Sequence, residues 1–136
     1  MHTSIELTAI FMLSASLLFT NILVQGQTEQ QQQQSSPVAN AGPDQVINEG
    51  DRVTLSGTSS FDSGGEIVSY RWGIEDSDDE SPAIMLNGQN TPIATFTAPK
   101  VGGNVDSNSY LFELTVTDNE EGLIGSNTTE VVVVKK

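Results

Sequence analysis

The sequence predicts an all-β fold, a sandwich of seven to eight strands in two packed sheets. The stretch Tyr110–Asp118 alternates apolar and polar residues, which is the period of a strand with one face in a core. Similar short runs recur from Pro37 onwards, separated by turns rich in Gly, Pro, Asn and Asp, and no helical period interrupts them. Residues 37–135 also supply about the 100 residues that an immunoglobulin-like β-sandwich needs.

The strands follow from period-2 patterns and the turn residues between them. In chain order they are a first strand broken at Gly42-Pro43 (Val38–Ala41 and Gln45–Ile47), then Arg52–Ser56, Ile67–Ile74, Ile84–Leu86, Ile93–Ala98, Tyr110–Asp118 and Thr128–Val134. On the strand Ile67–Ile74, the residues Val68, Tyr70, Trp72 and Ile74 share one face, and we predict that this face is buried. Trp72 is then the large side chain that fills the space between the sheets.

Composition excludes several classes of function. The chain has 18 Asp and Glu against five Lys and Arg, a net charge of −13, so it lacks the cationic cluster that nucleic acid requires. It has no cysteine, and its one histidine is His2, which lies in the N-terminal segment. Disulfides, thiolate or imidazole zinc sites and triads built on Ser-His or Cys-His are therefore excluded from the domain. We expect no enzymatic activity.

The N-terminal third is predicted to be an export segment followed by a linker. Leu7–Val24 is largely apolar, so residues 1–26 are either a signal peptide, cleaved before Gln27, or a retained membrane anchor. Both interpretations place the domain outside the cell, secreted or at the cell surface, with membrane contact only through an uncleaved segment. Residues 27–36 are a Gln-rich linker, which we expect to be disordered because it has nothing large and apolar to bury.

A series of motifs resembles the PKD domain, in particular the modules of egg-jelly-receptor and KIAA-type receptors. In order they are Ala39-Asn-Ala-Gly-Pro-Asp-Gln45, Asn48-Glu-Gly-Asp51, Val53-Thr-Leu-Ser-Gly57, Ser59-Ser-Phe-Asp62, Ile67-Val-Ser-Tyr-Arg-Trp72, Phe96-Thr-Ala-Pro99 and Phe112-Glu-Leu-Thr-Val-Thr-Asp-Asn119. The resemblance covers residues 38–134 and implies a non-catalytic immunoglobulin-like domain. The PKD motif Trp-x-Phe-Gly-Asp-Gly is represented here only by Trp72-Gly-Ile-Glu-Asp76.

The resemblance also implies a candidate calcium site. In some PKD modules calcium lies where the first strand meets the loop after the second, and Asn40 and Asp62 match those positions. We add Asp118 because it lies at an adjacent strand end, and oxygen ligands of this kind suit Ca²⁺. The alternative is that Asp62 and Asp118 cap turns through their own backbone. Separately, Asn127-Thr-Thr129 matches a glycosylation acceptor at the start of the last strand.

These features together predict an exported module that acts by contact, through adhesion to an extracellular protein or glycan. The alternatives are an inert structural spacer of an envelope or matrix, and an accessory domain of a separate extracellular hydrolase. An exposed apolar or aromatic patch on one sheet would favour binding, whereas an evenly charged surface would favour the spacer.

Overall fold

The computed structural model describes residues 34–79 and 81–136, which form six β-strands in two sheets. The strands are β1 (Gln45–Asn48), β2 (Arg52–Ser56), β3 (Ile67–Ser77), β4 (Ile93–Thr97), β5 (Ser107–Asp118) and β6 (Ile124–Val134). One sheet has the order β1-β6-β5-β3 and the other pairs β2 with β4. All pairs are antiparallel except β1 with β6, which is parallel. The predicted immunoglobulin-like β-sandwich is confirmed.

One predicted strand, Val38–Ala41, is reduced to an isolated bridge, and another, Ile84–Leu86, is absent, with a bridge only at the following Asn87; this accounts for six strands where seven to eight were expected. Val38 pairs only with Phe61, and Asn87 pairs only with Thr95. The segment after Pro82 spans the gap between the sheets: Asn87 exchanges two backbone bonds with Thr95 on β4, and the carbonyl of Gln89 accepts the N–H of Trp72 on β3. A segment that divides its backbone bonds between two sheets cannot build a ladder with either one. Ile84–Leu86 is accordingly not a strand.

The core lies between the sheets and is centred on β5, where every second residue from 108 to 118 is buried. Trp72 on β3 is 2% exposed and lies directly opposite Leu114 on β5, so its predicted place in the core is confirmed. Leu55 and Phe112 are fully buried, as expected for residues that fill the space between sheets in a domain without a disulfide. The rings of Phe96 and Phe112 lie 5.1 Å apart between centroids, which joins the two sheets by aromatic packing.

The prediction for the inward face of β3 was wrong at two positions. Val68 is 62% exposed and Ile74 is 41% exposed. The register of β3 against β5 shifts between Ile67 and Ser69, and again between Ile74 and Asp76. The first bulge leaves Val68 unpaired and so turns it away from the core. Ile67 consequently packs against the core in place of Val68. Ile74 keeps its inward register opposite Phe112, but it lies at the end of the regular pairing, just before the second bulge, and is left partly uncovered.

The segment that precedes β1 is held against β6 by three inward positions of that strand, which we call the latch residues: Gly125, Asn127 and Thr129. A Cβ on Gly125 would collide with the carbonyl of Pro37. The Oδ1 atom of Asn127 accepts the backbone N–H of Ala41 at 2.9 Å, and the hydroxyl of Thr129 donates to the carbonyl of Pro43 at 3.0 Å.

Beyond the latch the chain bends and becomes β1. Gly42 has a φ of 78°, a conformation that glycine adopts without steric cost, so the break predicted at Gly42-Pro43 is a real change of direction. From Gln45 onwards the chain pairs in parallel with β6.

The predicted export segment, residues 1–26, lies outside the described residues, as does most of the linker at 27–36. Within residues 34–79 and 81–136 no helix is long and apolar enough to cross a membrane.

Candidate functional site

The predicted calcium ligands Asn40 and Asp62 each hold their own local turn. The Oδ1 atom of Asn40 accepts the N–H of Gly42 at 2.9 Å, and Oδ1 of Asp62 accepts the N–H of Gly64 at 3.1 Å. Both bonds run from a side chain to the backbone two residues on, the geometry of an Asx turn. The backbone N–H of Asn40 also bonds to the hydroxyl of Ser60, which brings Asn40 next to the loop that carries Asp62.

Asp118 closes the hairpin between β5 and β6. Its Oδ1 atom accepts the N–H of Leu123 at 2.9 Å, and its own N–H donates to the Leu123 carbonyl at 3.0 Å. The side chain is 3% exposed because it continues the inward row of β5. Each of the three predicted calcium ligands therefore accepts a backbone hydrogen bond within its own turn. This is the turn capping that was given above as the alternative to calcium binding.

Asn119 is a neighbour of Asp62 that was not predicted from the sequence. A Cβ built on Gly65 would lie 2.5 Å from Asn119 Oδ1 and 3.1 Å from Asp62 Oδ2, so the two side chains meet over this glycine. Asn119 Oδ1 also accepts the N–H of Glu66 at 3.0 Å. The signal in the sequence was the Asp-Asn pair at the end of a strand, of which only the first residue was selected.

Among the described residues, no group of three or more His, Cys, Asp or Glu is arranged to hold a metal ion. Calcium also accepts amide and backbone oxygens, such as those of Asn40. The calcium site at Asn40, Asp62 and Asp118 stays a prediction.

The candidate glycosylation residue Asn127 is exposed, yet its side chain is part of the latch. Its bond to Ala41 uses Oδ1 and leaves Nδ2, the atom that a glycan would modify, outside that contact. Thr129, the hydroxyl residue of the motif, is 1% exposed and bonded to Pro43. Both residues therefore have a structural role in the folded domain, and modification of Asn127 stays a prediction.

The outward face of the four-stranded sheet is the side turned away from β2 and β4, and it forms a second candidate site. On β5 it consists of the alternate positions from 109 to 117. Glu113 lies at its centre, opposite Gly73 on β3 and Thr128 on β6. Gly73 leaves open space beside Glu113, since a Cβ there would have no neighbour within 4 Å. Glu130 lies in the next row, opposite Leu111.

Two cavities lie end to end on this face, and we call them together the β3–β5 groove. The smaller, of about 220 Å³, is lined by Arg71, Gly73, Ile74, Glu75, Glu113 and Thr115. The larger, of about 330 Å³, is lined by Asp76, Ser77, Asp78, Ser109, Leu111 and Glu130. Ser109 joins the two walls of the larger cavity, because its N–H donates to Asp78 Oδ2 and its hydroxyl donates to Glu130.

Tyr110 lies on the other side of β5, beneath the larger cavity. Its phenol is buried and donates to the carbonyl of Pro82 at 3.0 Å. Burial raises the pKa of the Tyr110 phenol above its usual 10.0, and the negative charge of Asp78 raises it further.

Comparison with known sequences finds a matching family and a similar protein. The sequence profile of the family "K319L-like, PKD domain" matches residues 41–134. The Dyslexia-associated protein KIAA0319-like protein of Mus musculus is 39% identical over 83 residues, which are 60% of this chain and 7% of that protein. The chain thus matches a small part of a much longer relative.

Two solved structures share the architecture. The PKD domain of human KIAA0319 aligns with a TM-score of 0.53 and 16% identity, over 82% of this chain and 92% of that domain. A nucleoside hydrolase-related protein from Saccharophagus degradans aligns with a TM-score of 0.57 and 18% identity, over 76% of this chain and 26% of the other. At these identities the likeness concerns the fold alone.

Proposed function

The chain belongs to the K319L-like PKD domain family, and from that premise we propose that it is a non-catalytic module that makes protein–protein or protein–carbohydrate contacts outside the cell. The observation that carries the proposal is the open outward face of the four-stranded sheet. Its inner face packs against the core, whereas its outer face presents polar and charged side chains to solvent, together with the exposed apolar residues Val46 and Ile124. A surface of this kind is available for contact with a partner.

The proposed location, secreted or at the cell surface, rests on Leu7–Val24, an apolar run of the kind that directs export. The lack of cysteine is compatible with it, because the 14 buried apolar residues of the sandwich form a core without cross-links. Relatives of the KIAA0319 type support the class of module but name no partner.

A domain exchange distinguishes contact from mere spacing. Residues 37–135 are replaced by an unrelated immunoglobulin-like domain of equal length, and adhesion of beads coated with either protein to cells of the native source is counted. A contact module loses adhesion in the exchanged protein. If the exchanged protein adheres equally well, the domain is a spacer and the proposal is wrong.

A further inference from the structure

We propose that the β3–β5 groove binds an extended, cationic segment of a partner protein, with Lys or Arg side chains at alternate positions. The inference deepens the proposed function and rests on it, because it assigns the contact to one face and one partner chemistry. The groove residues lie on β3, β5 and β6, except Asp78, which directly follows β3, so nearly all of them are held by the sheet rather than by loops.

Charge is the first argument for a cationic partner. The groove carries five carboxylates, at Glu75, Asp76, Asp78, Glu113 and Glu130, and one cation, Arg71. None of these groups forms a salt bridge within the described part of the chain, where Lys136 with Asp51 is the pair found. Five carboxylates beside the single cation Arg71 leave an excess of negative charge, and a cationic ligand relieves the repulsion among them on binding.

The second argument is shape. Gly73 gives the smaller cavity an open floor beside Glu113, with room for the end of a long side chain. The rows that contain Glu113 and Glu130 are two residues apart on β5, a separation of about 7 Å along the strand. Alternate side chains of an extended peptide repeat at the same distance of about 7 Å. Two cations separated by one residue therefore fit one into each cavity.

The residues of the face favour a peptide over a glycan. The outward positions of β3, β5 and β6 around the groove are mainly Gly, Ser, Thr and acidic residues, with no aromatic ring among those described. Stacking of sugar rings on aromatic side chains is thus unavailable. Charge-assisted hydrogen bonds from guanidinium groups to carboxylates are the strong contacts that these residues can make.

The test uses the full chain and a labelled synthetic peptide of Thr and Val that carries two arginines at alternate positions. Binding is measured by fluorescence anisotropy in calcium-free buffer. The double variant Glu113→Gln/Glu130→Gln keeps the side-chain shapes and removes two charges from the groove. The matched control Glu120→Gln/Glu121→Gln removes two charges from exposed positions in the turn between β5 and β6. Thermal unfolding followed by circular dichroism verifies that both variants are folded.

We expect the groove variant to bind the peptide at least about tenfold more weakly, because each lost charge-assisted bond is worth more than a neutral one. The control variant should bind within about twofold of the wild type, since Glu120 and Glu121 lie outside the groove and their exposed charges are largely screened by salt. A peptide with the same two arginines adjacent should also bind more weakly.

Equal losses in the two variants, or equal binding of the two peptides, overturn the proposal, because attraction to the acidic chain as a whole then explains the binding. The bead assay separates this outcome from failure of the proposed function. Wild-type adhesion that survives Glu113→Gln/Glu130→Gln leaves the contact function standing and removes the groove as its site.

Discussion

Trp72 shows how a single residue holds the two sheets together. Its ring is 2% exposed, and its neighbours include Leu114 and the backbone of Gly57. We expect Trp72→Ala to lower the free energy of unfolding by about 3–5 kcal/mol, through lost transfer energy and the cavity left behind. That is a large share of the total for a domain of this size, about 5–15 kcal/mol. Urea denaturation followed by circular dichroism measures the change.

Trp72→Phe is the matched control. The indole Nε1 is buried and has no acceptor among the described residues, and an unsatisfied buried donor costs about 1–3 kcal/mol. Phenylalanine removes that donor and keeps most of the apolar area, so it should cost clearly less than alanine. A folded Trp72→Ala protein of wild-type stability would mean that the ring does not support the core.

Tyr110 should make stability fall at alkaline pH. Its pKa is raised in the folded state, so its contribution is fully present below about pH 10, where the phenol is protonated in both states. Above that pH the unfolded chain ionises first, and stability is lost as pH rises towards the higher pKa of the folded state. Denaturation curves from about pH 8 to about pH 11.5 should therefore show a steeper loss in the wild type than in Tyr110→Phe. An equal loss of stability with pH in the wild type and in Tyr110→Phe would show that the Tyr110 phenol is not responsible.

Asp62 provides the test of the calcium site, which we keep as a proposal for Asn40, Asp62 and Asp118. Extracellular modules bind calcium with dissociation constants of about 0.1–1 mM, so about 10 mM calcium should raise the melting temperature by several degrees. Asp62→Asn should abolish this rise and leave calcium-free stability nearly unchanged, because asparagine can still accept the N–H of Gly64.

Asp106→Asn is the control for this measurement, because Asp106 is exposed and precedes β5, whereas Asp118 ends it. The Asp106→Asn protein should show the same calcium-induced rise in melting temperature as the wild type. If magnesium raises the melting temperature of the wild type as much as calcium does, there is no specific site, and Asp62 serves only as a turn cap.

At the level of elements, the latch on β6 explains how the segment before β1 is fixed without a regular ladder. We expect Thr129→Val, which keeps the shape of the side chain, to lower the free energy of unfolding by about 1–3 kcal/mol, because the carbonyl of Pro43 loses its donor. Thr128→Val alters the exposed neighbour and should stay within about 0.5 kcal/mol of the wild type. Urea denaturation of unglycosylated protein measures both, and equal effects would show that the latch bond is unimportant.

The elements also show which parts of the fold could be predicted from sequence. β2, β4 and β5 match their predicted ranges closely, because each has one face in the core and therefore a clear period of two. The prediction for β3 was wrong at Val68, since a bulge changes the period of two without leaving a mark in the residue types. It was wrong at Ile74 because that residue keeps its inward register but is not covered by the other sheet. The prediction of a strand at Ile84–Leu86 was wrong because a strand needs a partner strand to pair with, and the local sequence pattern does not reveal one.

The candidate sites were less predictable than the fold. Asp62 and Asp118 were correctly placed at turns, but the meeting of Asp62 with Asn119 over Gly65 depends on how two distant loops pack. The β3–β5 groove was missed for a similar reason. Its carboxylates come from three strands, and they become neighbours only through the register of the sheet.

At the scale of the whole molecule, the full chain has a net charge of −13, and ion pairs compensate little of the acidic charge that lies in the described domain. Lys136 and Asp51 form the one salt bridge found within residues 34–79 and 81–136, and its two side chains are 66% and 43% exposed. Exposed pairs of this kind contribute about 0–1 kcal/mol. The acidic surface therefore does little for folding and is available for recognition, which is consistent with a cationic partner.

The N-terminal segment is expected to determine where this domain acts. Leu7–Val24 carries no charged residue, and about 20 apolar residues are enough to cross a bilayer. If residues 1–26 are a signal peptide, mass spectrometry of the native protein should find an N-terminus near Gln27. If they are retained as an anchor, the intact chain should partition with membranes and resist extraction by salt. The variant Leu13→Arg, near the middle of the run, should remain inside the cell, because a central arginine costs about 3 kcal/mol in membrane insertion. A wild-type protein found soluble inside the cell with Met1 intact would contradict both forms of the prediction.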